Sequence, residues 1–214
     1  MKYNYPRSNC KKRKRKMICK KFLISPGHGI NTPGKRSPDG TLEEWRFNRV
    51  LCKKIAEGLD KEHIPYVLMD MGATDVSLSG RAARANTFGK DCLYISIHGN
   101  AAGNGKWMKA RGWSIYTSKG YTPSDPIAEV FIKKAEEILP EIGCKVRKYS
   151  AKRYMGDYEE NFTVLTKTIM AAVLTENLFY DNAEDLEIMK SEEGIAALAR
   201  VHVEAIKEIY NKEF

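Results

Sequence analysis

The feature that most narrows the folds open to this chain is an alternation of two hydrophobic periods. Short apolar runs recur at Lys21–Ser25, Tyr66–Met69, Leu93–Ile97, Trp113–Tyr116 and Ala172–Thr175, and helical spacing fills the gaps between them. Runs of that length signal strands, whereas apolar residues every three or four positions mark one face of a helix. Strand and helix in turn is the pattern of a parallel sheet covered by helices. We therefore expect a single α/β domain built on a mainly parallel, twisted sheet flanked by helices. Trp45, Asn48, Cys52, Ile55, Ala56 and Leu59 follow helical spacing, and Thr41 with Glu44 three residues on reads as a capping box. That places Glu44 in a helix's first turn. Ile127, Val130, Phe131, Ala135 and Ile138 predict a second helix that stops near Pro140, whose ring does not continue a helix interior. A last helix is expected over Ile195–Tyr210. The Gly-, Pro- and Asn-rich stretches Ser25–Gly40 and Gly99–Lys106 fit neither period and read as functional loops. There is no internal repeat and no linker to a second domain.

Composition sets the limits of that domain. The chain has 214 residues and a formal charge of +9, but ten basic and no acidic side chains fall in residues 1–21. The remainder holds 26 basic against 27 acidic side chains. We read residues 1–20 as a basic disordered arm, since Lys11–Lys16 is KKRKRK and has nothing apolar to bury, and residues 21–214 as the folded domain. Clustered lysine and arginine bind phosphate backbones. The near-neutral body carries no nucleic-acid motif, however, so no nucleic-acid partner is expected. At 43 % hydrophobic the chain buries a real core, which excludes disorder throughout. It lacks any run of the roughly 18 apolar residues a spanning helix needs. Phe22–Ile24 is also too short for a signal peptide, so synthesis in the cytoplasm is expected. Five cysteines (Cys10, Cys19, Cys52, Cys92, Cys144) with no CxxC spacing point to free thiols and away from cysteine-ligated zinc.

In open α/β sheets the ligand site lies beyond the carboxyl ends of the strands. Three polar groups follow apolar runs there: His28 in FLIS-PGHG, between glycines expected to turn the backbone tightly, His98 and then Asn100 in LYISI-HGN, and Glu176 in AAVLT-EN. With Glu43 or Glu44, between which spacing does not choose, two imidazoles and two carboxylates can meet at one rim. Two histidines and a carboxylate with an open position is a catalytic zinc arrangement, and a further carboxylate suits a proton acceptor. The HExxH spacing of a zinc helix is absent. Glu176 directly follows an apolar strand and must be paired, metal-bound or raised in pKa. His63 and His202 read as structural.

At these residues the sequence resembles the zinc-dependent N-acetylmuramoyl-L-alanine amidases of the amidase-3 type, from about Phe22 to Tyr210. The motifs are Pro26-Gly27-His28-Gly29; Glu44 with Asn48; Leu78, Arg81, Ala85 and Asn86; Ser96-Ile97-His98-Gly99-Asn100; and Leu174-Thr175-Glu176-Asn177-Leu178-Phe179 with Asn182 and Asp185. Each is weak alone, but five in order are specific. The resemblance favours Glu44 over Glu43. It implies zinc held by His28, Glu44 and His98, with Glu176 as the catalytic carboxylate that takes a proton from the attacking water. It further implies hydrolysis of the amide between N-acetylmuramic acid and L-alanine in peptidoglycan. Asn100 and Arg81 are candidates for substrate binding or for bracing the ligands, and for Arg81 a surface or interhelix salt bridge is the plainer expectation. The implied protein is a monomeric endolysin or autolysin that reaches the cell wall by release or export. A zinc peptidase or deacetylase acting on another wall bond is the alternative. Three departures stand out: Ser25 replaces a family Asp before PGHG, Gly99 replaces an Ala, and Asn104–Arg111, with Trp107 and Met108, is longer and more basic than usual. Lys145–Tyr158 mixes aromatic with basic residues and reads as strand and exposed loop.

Overall fold

A computed structural model describes residues 19–149, 156–212 of the chain. Residues 1–18, which hold almost all of the basic arm and Cys10, and the middle of the Lys145–Tyr158 stretch lie outside the described residues. The elements run β1 (Lys21–Pro26), α1 (Glu44–Lys61), β2 (Tyr66–Leu68), α2 (Leu78–Asn86), β3 (Cys92–Asn100), β4 (Ser114–Thr117), α3 (Asp125–Ile138), β5 (Tyr158–Glu159), α4 (Thr163–Thr166), β6 (Ala171–Phe179), α5 (Ala183–Lys190) and α6 (Glu192–Tyr210). They form one six-stranded sheet in the order β2-β1-β3-β6-β4-β5. Every strand read from the sequence is present. Pairing is parallel except between β4 and β6, which run antiparallel.

The central strands β1, β3 and β6 are buried on both faces, which is why they read as continuous apolar runs. One face carries Phe22, Ile24, Leu93, Ile95, Ile97 and Val173 and packs against α1, α3 and α6. The other carries Leu23, Tyr94, Ala172 and Leu174 and meets Ala85 of α2 and Val164 and Leu165 of α4. Those two helices have only nine and four residues. The second face is thus lightly covered, and strand alternation carries it on to Ser96, His98 and Glu176 at the carboxyl ends.

The expected capping box is not formed. Glu43 is the N-cap of α1 and makes no side-chain cap bond. Thr41 is drawn instead into a turn on Asp39, whose Oδ1 accepts from both the Thr41 amide and its hydroxyl. Glu44 still occupies the first turn. The α3 helix ends at Ile138, and Pro140 falls in a single 3₁₀ turn that stops at Gly143 in the left-handed region. The helices α2, α4 and α5 and the two-residue β5 were not foreseen, because none is long or apolar enough to show a period. Capping specifies two of them locally: Ser77 accepts from the Gly80 amide at α2, and Asn182 from the Glu184 and Asp185 amides at α5. Cys19, Cys52, Cys92 and Cys144 are buried free thiols.

Candidate metal centre and active site

Three side chains from three elements converge at the carboxyl edge. His28 comes from the loop after β1, Glu44 from the first turn of α1 and His98 from β3, and one ligand atom of each lies within 4.8 Å of the others. Glu44 Oε1 is 3.4 Å from His28 Nε2 and 3.2 Å from His98 Nδ1. The Glu44 carboxylate is buried, and its Oε2 takes no hydrogen bond. Burial lowers the His28 pKa to about 4, against an upward pull from Glu44. Burial alone raises the Glu44 pKa, but the His98 hydrogen bond and the His98, His28 and Lys35 charges bring it below the ordinary carboxylate range. Two imidazoles and a carboxylate with an orphaned buried oxygen fit a divalent cation.

Glu176 stands in register with His98 across the β3–β6 pair. Its Oε2 is buried and takes no hydrogen bond. Burial raises its pKa well above the carboxylate norm, the nearby Glu44 charge raises it further, and Lys35 opposes both. The expectation of a partly buried, perturbed carboxylate at this strand end therefore matches the geometry.

Backbone and outer contacts set the two histidines. His28 has φ +60°, an uncommon conformation for a residue with a side chain, whereas neither flanking glycine lies in the left-handed region. The glycines serve close approach instead of the expected tight turn. A Cβ on Gly27 would sit 2.1 Å from Cε1 of His98, and one on Gly29 would sit 2.1 Å from the Asp75 amide nitrogen. Arg49 donates to the His28 carbonyl at 3.0 Å. Arg81 donates to the Pro26 carbonyl at 2.7 Å, to the Ser25 hydroxyl at 3.1 Å and to Asp75 at 2.8 Å. Arg81 is only 2 % exposed and spends its guanidinium on the loop that carries His28. Of its two carboxylate partners, the Asp70 side chain at 3.8 Å is buried and that of Asp75 is partly exposed. Ser25, in place of the family Asp, is buried within the same network and donates to Asp70.

On the other histidine, Ser96 Oγ lies 3.1 Å from His98 Nε2, and the Asn177 amide donates to the His98 carbonyl at 3.0 Å. Asn100 ends β3 half-buried, with its Oδ1 accepting from the Ala101 amide. The long segment after it docks on the β6–α5 turn: the Ala102 and Gly103 amides donate to Asp181, and Asn182 donates to the Met108 carbonyl. Trp107 and Met108 remain exposed. Sequence reasoning missed Arg49 and Lys35, whose Nζ is 3.9 Å from Glu44 Oε2, and gave no role to Asn177, which it quoted only as part of a motif. Arg49 adjoins the motif residue Asn48, but neither adjacency nor membership of a motif tells which side chain turns inward. His202 is fully buried, paired with Thr175 and the Leu198 carbonyl, and structural as read.

Comparison with known proteins points the same way as the geometry. A family model described as N-acetylmuramoyl-L-alanine amidase matches residues 22–208. The chain is 33 % identical over 197 residues to the endolysin of Bacillus phage SPP1, covering 91 % of this chain and 67 % of that protein. It is 29 % identical over 192 residues to the N-acetylmuramoyl-L-alanine amidase CwlM of Bacillus licheniformis, covering 89 % and 69 %. The crystal structure of an N-acetylmuramoyl-L-alanine amidase from Clostridium difficile 630 superposes with a TM-score of 0.76 at 28 % identity, covering 90 % of this chain and 97 % of the other. The catalytic domain of CwlV, an amidase from Bacillus (Paenibacillus) polymyxa, shares the fold at TM-score 0.75 and 24 % identity, covering 90 % and 98 %.

Proposed function

Because the chain belongs to the N-acetylmuramoyl-L-alanine amidase family and is an amide hydrolase of the bacterial cell wall, we propose that it works through zinc held by His28, Glu44 and His98, with Glu176 as the proton acceptor. What carries this reading is the cluster of three ligand atoms within 4.8 Å whose buried Glu44 Oε2 has no partner, set beside Glu176. Bound there, zinc supplies Lewis acidity toward the amide carbonyl and brings the pKa of a water to around 7.

The remaining work falls to the protein. Glu176 takes the proton of the attacking water and returns it to the departing amine of L-alanine, and a pKa raised by burial suits a base that operates near neutrality. Ser96 and Asn177 hold His98 in orientation, while Arg49 and Arg81 hold the His28 loop through backbone carbonyls. Asn100, at the strand end, is the residue we assign to substrate. The substrate is peptidoglycan, met by a monomer that is released or exported to the wall as an endolysin or autolysin. Among the described residues no helix is long and apolar enough to cross a membrane.

The test is a digest of purified cell walls with and without a chelator. New L-alanine amino termini are expected, lost with chelator and restored by added zinc. New reducing ends, new D-amino termini or released acetate would each assign a different bond and overturn the reading.

A further inference from the structure

A second cleft lies on the sheet face that carries Glu176. Tyr116 of β4 stands opposite Leu174, two residues before Glu176 in β6, and so shares that face. The Tyr116 pKa is pushed up, by burial first and by the Glu176 charge second, which puts the two groups within electrostatic reach. From Tyr116 a row of aromatic rings leads to the sheet edge. Tyr158 of β5 stacks on Tyr116 with centroids 5.2 Å apart and planes 28° apart. Tyr149 tilts against Tyr158 at 5.9 Å, and Phe162 against Tyr116 at 5.5 Å. The outer rings are 47 % and 39 % exposed.

Beside this row is a cleft of about 410 Å³ lined by Tyr116, Lys119, Tyr149, Tyr158, Glu159 and Glu160. Lys119 and Glu160 pair at 3.6 Å. Glu159 Oε1, in contrast, is buried and takes no hydrogen bond. A buried acceptor without a donor costs free energy that an incoming hydroxyl or N–H recovers.

We propose that this cleft is a sugar subsite, in which a pyranose ring of the glycan strand lies with its C–H face against Tyr149 and Tyr158 and donates a hydroxyl to Glu159 Oε1. The inference rests on the peptidoglycan reading above and extends it from the scissile amide to the polymer. A row of aromatic faces with a few polar groups on its rim is the makeup of a site for a flat, hydroxylated ligand. Stacked rings form a continuous surface, not a box around a cation.

Two measurements on the full chain test this. Kinetics compare Tyr149→Ala and Glu159→Gln with the wild type on long glycan strands bearing stem peptides and on a single N-acetylmuramoyl-peptide. Truncating an exposed aromatic anchor is expected to raise KM on the long strands about tenfold and to leave the single-sugar substrate unaffected. Separately, a peptide-free N-acetylglucosamine tetramer is titrated and followed by NMR of the aromatic ring protons. Shifts confined to Tyr149, Tyr158 and neighbouring rings, lost in both variants, are expected. A protein without amidase activity that still binds the tetramer would remove the function reading and keep the subsite. An active protein whose variants treat both substrates like the wild type, or whose rings respond to free stem peptide and not to the tetramer, would overturn the subsite.

Discussion

Single side chains carry the chemistry here, and their environments tell them apart. Glu44 and Glu176 each have a buried oxygen without a partner, yet the histidines bring Glu44 below the ordinary carboxylate range while burial and Glu44 raise Glu176. That difference suits the ligand and base roles proposed for them. Glu176→Gln is therefore expected to keep stoichiometric zinc, read by elemental analysis, while hydrolysis falls by roughly 10² to 10⁴-fold. Loss of the metal together with turnover would make Glu176 a ligand instead. His202 offers a separate measure of burial. Its pKa is lowered to about 4 by burial, with the Leu198 carbonyl pulling the other way. Between pH 6.5 and about 4 the unfolded chain binds a proton there that the native chain refuses, so this contribution is full above pH 6.5 and is lost as pH falls through that window. A shift of this size corresponds to roughly 3 kcal/mol. Denaturant midpoints measured from pH 7 to pH 5 should fall less steeply in His202→Gln than in the wild type.

The elements divide into those that build the core and those that aim the site. The long helices α1, α3 and α6 cover one face of the sheet, while short α2 and α4 leave the catalytic face open. Close approach within the covered layer depends on Gly58 of α1, where an added Cβ would lie 2.5 Å from Val203 Cγ2 of α6. Gly58→Val is expected to destabilise the fold by about 1–3 kcal/mol, as overpacking does, without changing turnover per folded molecule. Chemical denaturation reads the first effect and active-site titration the second. Val203→Ala added to it should recover part of the loss, which separates a clash from a weakened helix. The reactive strand ends follow from register: β3 and β6 pair in parallel until His98 meets Glu176, and the ladder then shifts before Asn100 meets Phe179. Asn177 donates to the His98 carbonyl at that irregularity, which joins the sheet's geometry to the aim of a ligand.

For the molecule as a whole, the core begins at Cys19, 2 % exposed, and at β1, so the ten basic side chains before Phe22 precede nearly every core contact. Deleting residues 1–16 is expected to leave both the melting temperature and the hydrolysis of soluble muropeptides unchanged. Reduced turnover in that variant would assign the arm to the active domain. The periods of the sequence were enough to predict the five main strands, three long helices and the α/β class, because those elements bury continuous faces and so display their period. The strand-end residues His28, His98 and Glu176 were legible for the same reason: parallel strands deliver the residues at their carboxyl ends to one rim. The choice of Glu44 over Glu43 came from motif resemblance, and the fold gives its physical ground, since only Glu44 turns into the buried centre while Glu43 pairs with Arg46 at the surface. Other features rest on contacts distant in sequence and had no local signature. These include Arg49 gripping a carbonyl of the His28 loop, Gly27 yielding space to the His98 ring, and the rings of β4 and β5 meeting over an unpartnered Glu159. Local periodicity determined which segments fold and which chemistry they bear, whereas packing across the sheet decided which side chains face one another and at what distance.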